Sequence, residues 1–168
     1  MSFTNTEPQK HNSENTWFTP KKYIDELGLV EKFDLDPCTV SYRPFNTALK
    51  HIEHDKGECG LKTEWYGDVW LNPPYGKEIA PFVDKFINHR KGLMLIFARM
   101  GSVSIQQLLK HGAYIYCLRR RLYFIHKDGV KKTNAGTDSC LVFFDNKYIN
   151  RVNFFEGVLI KLHTGDLK

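Results

Sequence analysis

The sequence predicts an open α/β fold: a mostly parallel sheet with helices on both faces and an antiparallel strand near the C-terminus. Three observations lead there. Val69-Trp70-Leu71 is a short apolar run stopped by two prolines. Ile79, Phe82, Val83, Phe86 and Ile87 then fall at i, i+3, i+4, i+7 and i+8, the stripe of a helix packed on a sheet. Leu93 to Ala98 follows as a continuous apolar run, typical of a central parallel strand. Strand, helix, strand is a βαβ unit, right-handed by default. At 168 residues, 42% hydrophobic and 14% aromatic, the chain has apolar side chains for one real core and no room for a second recognition domain of ordinary size.

Residues 1–16 are polar and aperiodic and read as a disordered lead-in, leaving one domain over 17–168. Trp17-Phe18-Thr19-Pro20 opens it. Thr19 can cap a helix with Pro20 at its first position, Tyr23, Ile24 and Leu27 share one face, and Gly28 ends it. Phe33-Asp34-Leu35-Asp36-Pro37 reads as a strand ending in a carboxylate, where a doubly wound sheet meets its ligand. Asp36 suits a strand-terminating turn before proline as well. Cys38-Thr39-Val40-Ser41 has none of the glycines of a GxGxG loop.

Residues 42–67 show little periodicity. Asp55 is a candidate second carboxylate for a cofactor, or a turn residue. His51 and His54, between Cys38 and Cys59, match no recognised zinc spacing, so no metal is expected. Beyond the proline turn, Pro81 belongs in the first turn of its helix and Gly92 ends it. Ser102 to His111 forms another helix closed by Gly112, and Ala113 to Leu118 another strand. Arg119-Arg120-Arg121 leads into Leu122-Tyr123-Phe124-Ile125, then a loop HKDGVKKTNAGTD, then the apolar strand Ser139 to Phe144. The loop's glycines with Lys127, Lys131 and Lys132 make a mobile basic arm able to contact DNA phosphates, or simply a solvated face. Tyr148 to Phe155 reads as a helix and Gly157 to Leu162 as a strand.

Net charge is +5 and the sequence pI about 9.0, which suits a polyanionic partner. Four scattered cysteines without a CxxC pair point to reduced thiols. No run is long and apolar enough to span a membrane, and the N-terminus lacks the apolar core of a signal peptide, so a cytoplasmic location is expected.

The chemistry resides in Asn72-Pro73-Pro74-Tyr75, a rigid polar turn at the carboxyl end of a strand. Asn72 offers a side-chain carbonyl oxygen. Pro73, lacking an N–H, presents its own carbonyl without competing as a donor. Two acceptors thus converge where an amino group has two hydrogens to give, and Tyr75 supplies a flat face for a planar group. Held in this way, the nitrogen lone pair loses conjugation with its ring and becomes free to attack a methyl sulfonium, by electrostatic preorganisation rather than base catalysis.

Asn72 to Tyr75 resembles the (D/N/S)PP(Y/F/W) motif of amino-group methyltransferases that use S-adenosylmethionine, in the form typical of N6-adenine and N5-glutamine enzymes. Trp17 to Pro20 is similar to the xTPxxL segment that precedes the cofactor motif in many N6-adenine enzymes. Together, WFTP, FDLDP, DVWLNPPYG, LMLIFARM, RRRLYF and SCLVFF resemble, over roughly residues 17–144, the small phage and prophage DNA N6-adenine methyltransferases. The resemblance implies a Rossmann-like class I methyltransferase sheet, S-adenosylmethionine as cofactor, and methylation of a flipped adenine in double-stranded DNA, in the host cytoplasm if phage-encoded. It implies catalytic roles for Asn72, Pro73, Pro74 and Tyr75. It implies cofactor contacts from Trp17, Thr19 and Pro20 at the methionine end, beside Asp36, Pro37 and Asp55, the candidates read from the strand end and the stretch after it. Arg119, Arg120, Arg121 and Phe124, with Lys127, Lys131 and Lys132, fall on the DNA side. A protein N5-glutamine methyltransferase and a catalytically idle nucleic-acid-binding domain are the alternatives, and oligomeric state is not legible.

Overall fold

The computed structural model describes residues 17–26, 33–126, 132–134, 136–153 and 156–162, with backbone alone for Trp17, Glu26 and 132–134. The lead-in 1–16 lies outside the described residues, as do Leu27, Gly28, Lys127, Lys131 and Phe155. In chain order the elements are β1 (Trp17–Phe18), α1 (Lys21–Glu26), β2 (Phe33–Thr39), β3 (Ala48–Glu53), β4 (Val69–Leu71), α2 (Ile79–His89) and β5 (Gly92–Phe97). There follow α3 (Val103–Lys110), β6 (Tyr114–Leu118), β7 (Tyr123–His126), β8 (Lys132–Asn134), β9 (Ser139–Phe143), α4 (Ile149–Val152) and β10 (Gly157–Ile160).

A seven-stranded sheet runs β10-β6-β9-β5-β4-β2-β3, and a three-stranded one β1-β7-β8. The neighbours β3, β2, β4 and β5 pair in parallel, the β4–β5 pair as its apolar runs predict. The remainder corrects the expectation of a single antiparallel strand. Both β9 and β10 run antiparallel to their neighbours, and β9 lies inside the sheet between β5 and β6. The small sheet, antiparallel throughout, was not foreseen.

Period-two alternation divides the buried residues into two cores. Val69, Leu71, Met94, Ile96, Cys140 and Val142 pack with Phe82, Val83 and Phe86 of α2 and Ile105 and Leu108 of α3. Trp70, Leu93, Leu95, Leu141 and Phe143 face the other way, towards Ile24 of α1 and Tyr148 and Val152 at α4. Strands covered on both faces carry no polar face, hence their continuous apolar sequence. Among the described residues no helix is long and apolar enough to cross a membrane.

Local chemistry explains where boundaries depart from expectation. The first helix begins at Lys21, one residue late, and the buried Thr19 hydroxyl has no partner among the described residues instead of capping it. Arg90, in the left-handed region at φ 63°, closes α2, so Gly92 opens β5 rather than ending the helix. A Cβ at Gly92 would lie 2.1 Å from the Val69 carbonyl oxygen, so glycine permits the close approach of β4 to β5. β3 lies in the stretch without periodicity, and β8 in the predicted basic loop. The predicted helix from Tyr148 shortens to a 3₁₀ turn, Asn146–Tyr148, and the single turn of α4.

The connection from β3 to β4 is pinned by α2. Lys85 Nζ donates to the carbonyl oxygens of Gly60 at 3.1 Å, Leu61 at 2.8 Å and Thr63 at 2.6 Å, and the Trp65 indole N–H donates to Gly60 at 2.8 Å. Lys85→Met is expected to lower unfolding free energy by roughly 1–2 kcal/mol, because a charge-assisted set of bonds is lost while water reaches part of it. A denaturation midpoint equal to wild type would show that the pin is dispensable.

Candidate active site

Chain order reverses between β2 and β4: from β2 the chain passes outward to β3, then returns across β2 to β4 and on to β5. Such a topological switch leaves a crevice at the carboxyl ends of the two central strands. Asp36 and Pro37 sit near that end of β2, and Asn72 to Tyr75 follow β4 directly.

Pro73 is buried, while Asn72, Pro74 and Tyr75 are half-buried. No hydrogen bond to the Pro73 carbonyl occurs among the described residues, so this acceptor is uncommitted. The Tyr75 hydroxyl donates to Asn72 Oδ1 at 3.3 Å. Burial pushes the phenol's pKa up, which keeps it protonated as that donor. The Tyr75 ring stacks on Phe97 at 3.9 Å between centroids and 15° between planes. One face of the predicted stacking surface is therefore occupied by the protein itself. An incoming amino group must displace a weak hydroxyl contact to reach Asn72.

The opposite wall is built from β2 and β3. Pro37 cannot donate to a ladder, and the β2–β3 register shifts between Asp36 and Thr39. Asp36 is only 4% exposed. One carboxylate oxygen accepts from the Cys38 N–H at 3.1 Å and the other from the Thr47 hydroxyl. Burial pushes its pKa up to about 6, against the pull of Thr47, Cys38 and Arg43. The Thr47 oxygen also lies 3.5 Å from His51 Nε2, in the residue paired with Asp36 across the strands. Asp55 lies further out, accepting from the Ser41 N–H at 2.8 Å and the Ser41 hydroxyl at 2.5 Å. Burial works to raise its pKa, and the Ser41 bonds outweigh that and lower it. His54 Nδ1 sits 2.7 Å from the Thr39 carbonyl, and among the described residues no three metal-ligating side chains converge.

The small sheet joins two predicted regions. β1, which leads directly into Thr19 and Pro20, pairs with β7 through Trp17↔His126 and Phe18↔Ile125, and β7 pairs with β8 through Ile125↔Lys132. Arg119, Arg120 and Arg121 are exposed before β7. Arg119 pairs with Glu156 at 2.8 Å and Arg121 with Asp138 at 3.2 Å. Phe124, at 5% exposed, packs in the core beside Leu122 and Ile24, because alternation turns it inward while Tyr123 faces out. Sequence reasoning gave no site role to Thr47, Phe97 or Arg99, and weighed His51 only as part of a metal set. Phe97 reads as core in the apolar run of LMLIFARM, Arg99 falls near the end of that same segment, and Thr47 lies in a stretch without a motif.

A family model described as DNA N-6-adenine-methyltransferase (Dam) matches residues 5–163, nearly the whole chain. The chain belongs to that family, whose activity is adenine methylation in DNA. No significant match is found among curated proteins or among solved structures.

Proposed function

We propose that this chain methylates the N6 amino group of an adenine flipped out of double-stranded DNA, using S-adenosylmethionine, with a Rossmann-like class I methyltransferase domain spanning 17–168. The observation that carries the reading is the pair of acceptors, Asn72 Oδ1 and the uncommitted Pro73 carbonyl, at the switch point between β2 and β4. Flipping is required because N6 is engaged in pairing inside the duplex. Asn72 and Pro73 take the two N–H bonds, stabilise the positive charge that develops on nitrogen, and release the surplus proton to solvent afterwards. Tyr75, backed by Phe97, holds the purine plane.

The donor set fits the cofactor. Asp36 offers a carboxylate beside the turn for an ammonium or ribose hydroxyl, with Pro37 shaping the bend and Asp55 at the outer rim. The buried Thr19 hydroxyl has no partner among the described residues, and it lies in the segment of Trp17 and Pro20 that the resemblance assigns to the methionine end. When bound, S-adenosylmethionine supplies a methyl group on a positively charged sulfur. Arg119, Arg120 and Arg121, with Lys127, Lys131 and Lys132, neutralise phosphates, which offsets the few kcal/mol of unstacking.

The test is transfer of labelled methyl from S-adenosylmethionine to unmethylated duplex DNA, followed by nucleoside analysis. Label in N6-methyladenine is the expected result. Label in a protein glutamine instead, or no calorimetric heat with S-adenosylmethionine, would replace this reading with a glutamine enzyme or an idle domain respectively.

A further inference from the structure

The carboxyl end of β5 holds a side chain with no role in the chemistry above. Arg99 is exposed, and its guanidinium carbon stands 5.5 Å from the centroid of the Phe97 ring. The Arg99 N–H donates to the Phe97 carbonyl at 2.8 Å, a tight turn that brings residue 99 back over residue 97. Phe97 in turn carries Tyr75 on its ring. Tyr75, Phe97 and Arg99 thus form one connected assembly beside the Asn72 acceptor.

Four other arginines are committed to oxygen partners, while among the described residues Arg120 has none and Arg151 lies over the Tyr148 ring at 5.6 Å. Arg43 binds Glu53 at 2.6 Å, Arg119 binds Glu156, Arg121 binds Asp138, and Arg90 donates to the His111 carbonyl at 3.2 Å. Arg99 has no oxygen partner among the described residues, only the aromatic ring. A guanidinium resting on a ring keeps its position and its planar fork of N–H groups free, a state suited to bidentate capture of a phosphate. Recruiting Arg119 or Arg121 to a phosphate means giving up an ion pair, whereas Arg99 gives up none.

We propose that Arg99 holds the phosphodiester of the nucleotide whose base enters the Asn72–Tyr75 turn, with Phe97 fixing the guanidinium and Tyr75 together. The assignment rests on the base-flipping reading above. Rotating a nucleotide out of the stack swings it about its own backbone, so its flanking phosphates are the ones drawn to the rim of the crevice. A cation on the platform that receives the base then couples capture of the backbone to placement of the ring. Arg99 acts as a positioning residue.

The experiment uses a duplex that the wild-type chain methylates at one adenine, with an uncharged methylphosphonate placed at each nearby phosphate in turn. Binding is read by fluorescence anisotropy, and folding by thermal melting. For wild type, neutralising a phosphate flanking the target adenine is expected to weaken binding about tenfold. For Arg99→Ala that same position should have no further effect, remote phosphates should matter as in wild type, and the salt slope of log K should fall by about one. Arg99→Gln, which keeps the length of the stem, should behave as Arg99→Ala and serves if alanine disturbs the turn. Equal losses at the flanking phosphates in wild type and variants overturn the assignment alone. A wild type that binds and methylates no duplex overturns the proposed function, and Arg99 with it.

Discussion

Asn72→Ala is expected to lower methyl transfer to adenine about 10²–10³-fold, the scale seen when one preorganised hydrogen-bonding group is removed from a developing charge. Duplex binding should change by less than about twofold, since phosphate contacts dominate affinity and Asn72 touches none of them. The split follows from the geometry. Among the described residues Asn72 Oδ1 accepts only from the Tyr75 hydroxyl at 3.3 Å, and the Pro73 carbonyl accepts no hydrogen bond. Removing the side chain leaves the Pro73 carbonyl to hold a single N–H, so the nitrogen lone pair stays conjugated with the purine. Asn72→Asp, which restores an acceptor at the same place, should recover part of the lost rate. Single-turnover transfer measured beside anisotropy separates the two quantities, and an Asn72→Ala protein with wild-type turnover would end the mechanism.

What the sequence revealed of this site was the part made by consecutive residues. Strand β4, its proline stop and the helix after it are local, and their apolar periods survive because both faces are buried. β3 was invisible for the opposite reason. It is an edge strand with Leu49 71% exposed and His51 buried at 8%, so hydrophobicity does not alternate along it. β1 and β8, two and three residues long, exist only through pairing with β7, which no local pattern encodes. The same limit hid half of the crevice. Thr47 meets Asp36 from the connection that precedes β3, and Phe97 meets Tyr75 from the end of β5. Phe124 was placed by the likeness of RRRLYF alone, and alternation along β7 turns it into the core.

Asp36→Asn is expected to raise thermal stability at pH 8 and to leave it unchanged near pH 4, while weakening S-adenosylmethionine binding. Burial lifts the Asp36 pKa from 3.8 to about 6, so the folded chain favours the protonated carboxyl by about 3 kcal/mol relative to the unfolded one. Below pH 3.8 both states hold the proton and no penalty exists. Between 3.8 and 6 the unfolded chain has released it and the folded chain has not, so stability falls as pH rises; above 6 the full penalty persists. An asparagine carries no charge to bury, accepts from the Cys38 N–H as the acid does, and can donate to the Thr47 hydroxyl once that hydroxyl turns. The fold therefore gains above pH 6, by an amount on the order of the same 3 kcal/mol at most. Under the proposed function, the charge that would offset this cost is the ammonium of S-adenosylmethionine. Melting curves at the two pH values with calorimetry at pH 8 decide the matter. A stabilised variant that binds the cofactor as tightly as wild type would remove Asp36 from the cofactor site, and a variant with no gain at pH 8 would mean that the wild-type carboxylate is solvated better than its 4% exposure implies.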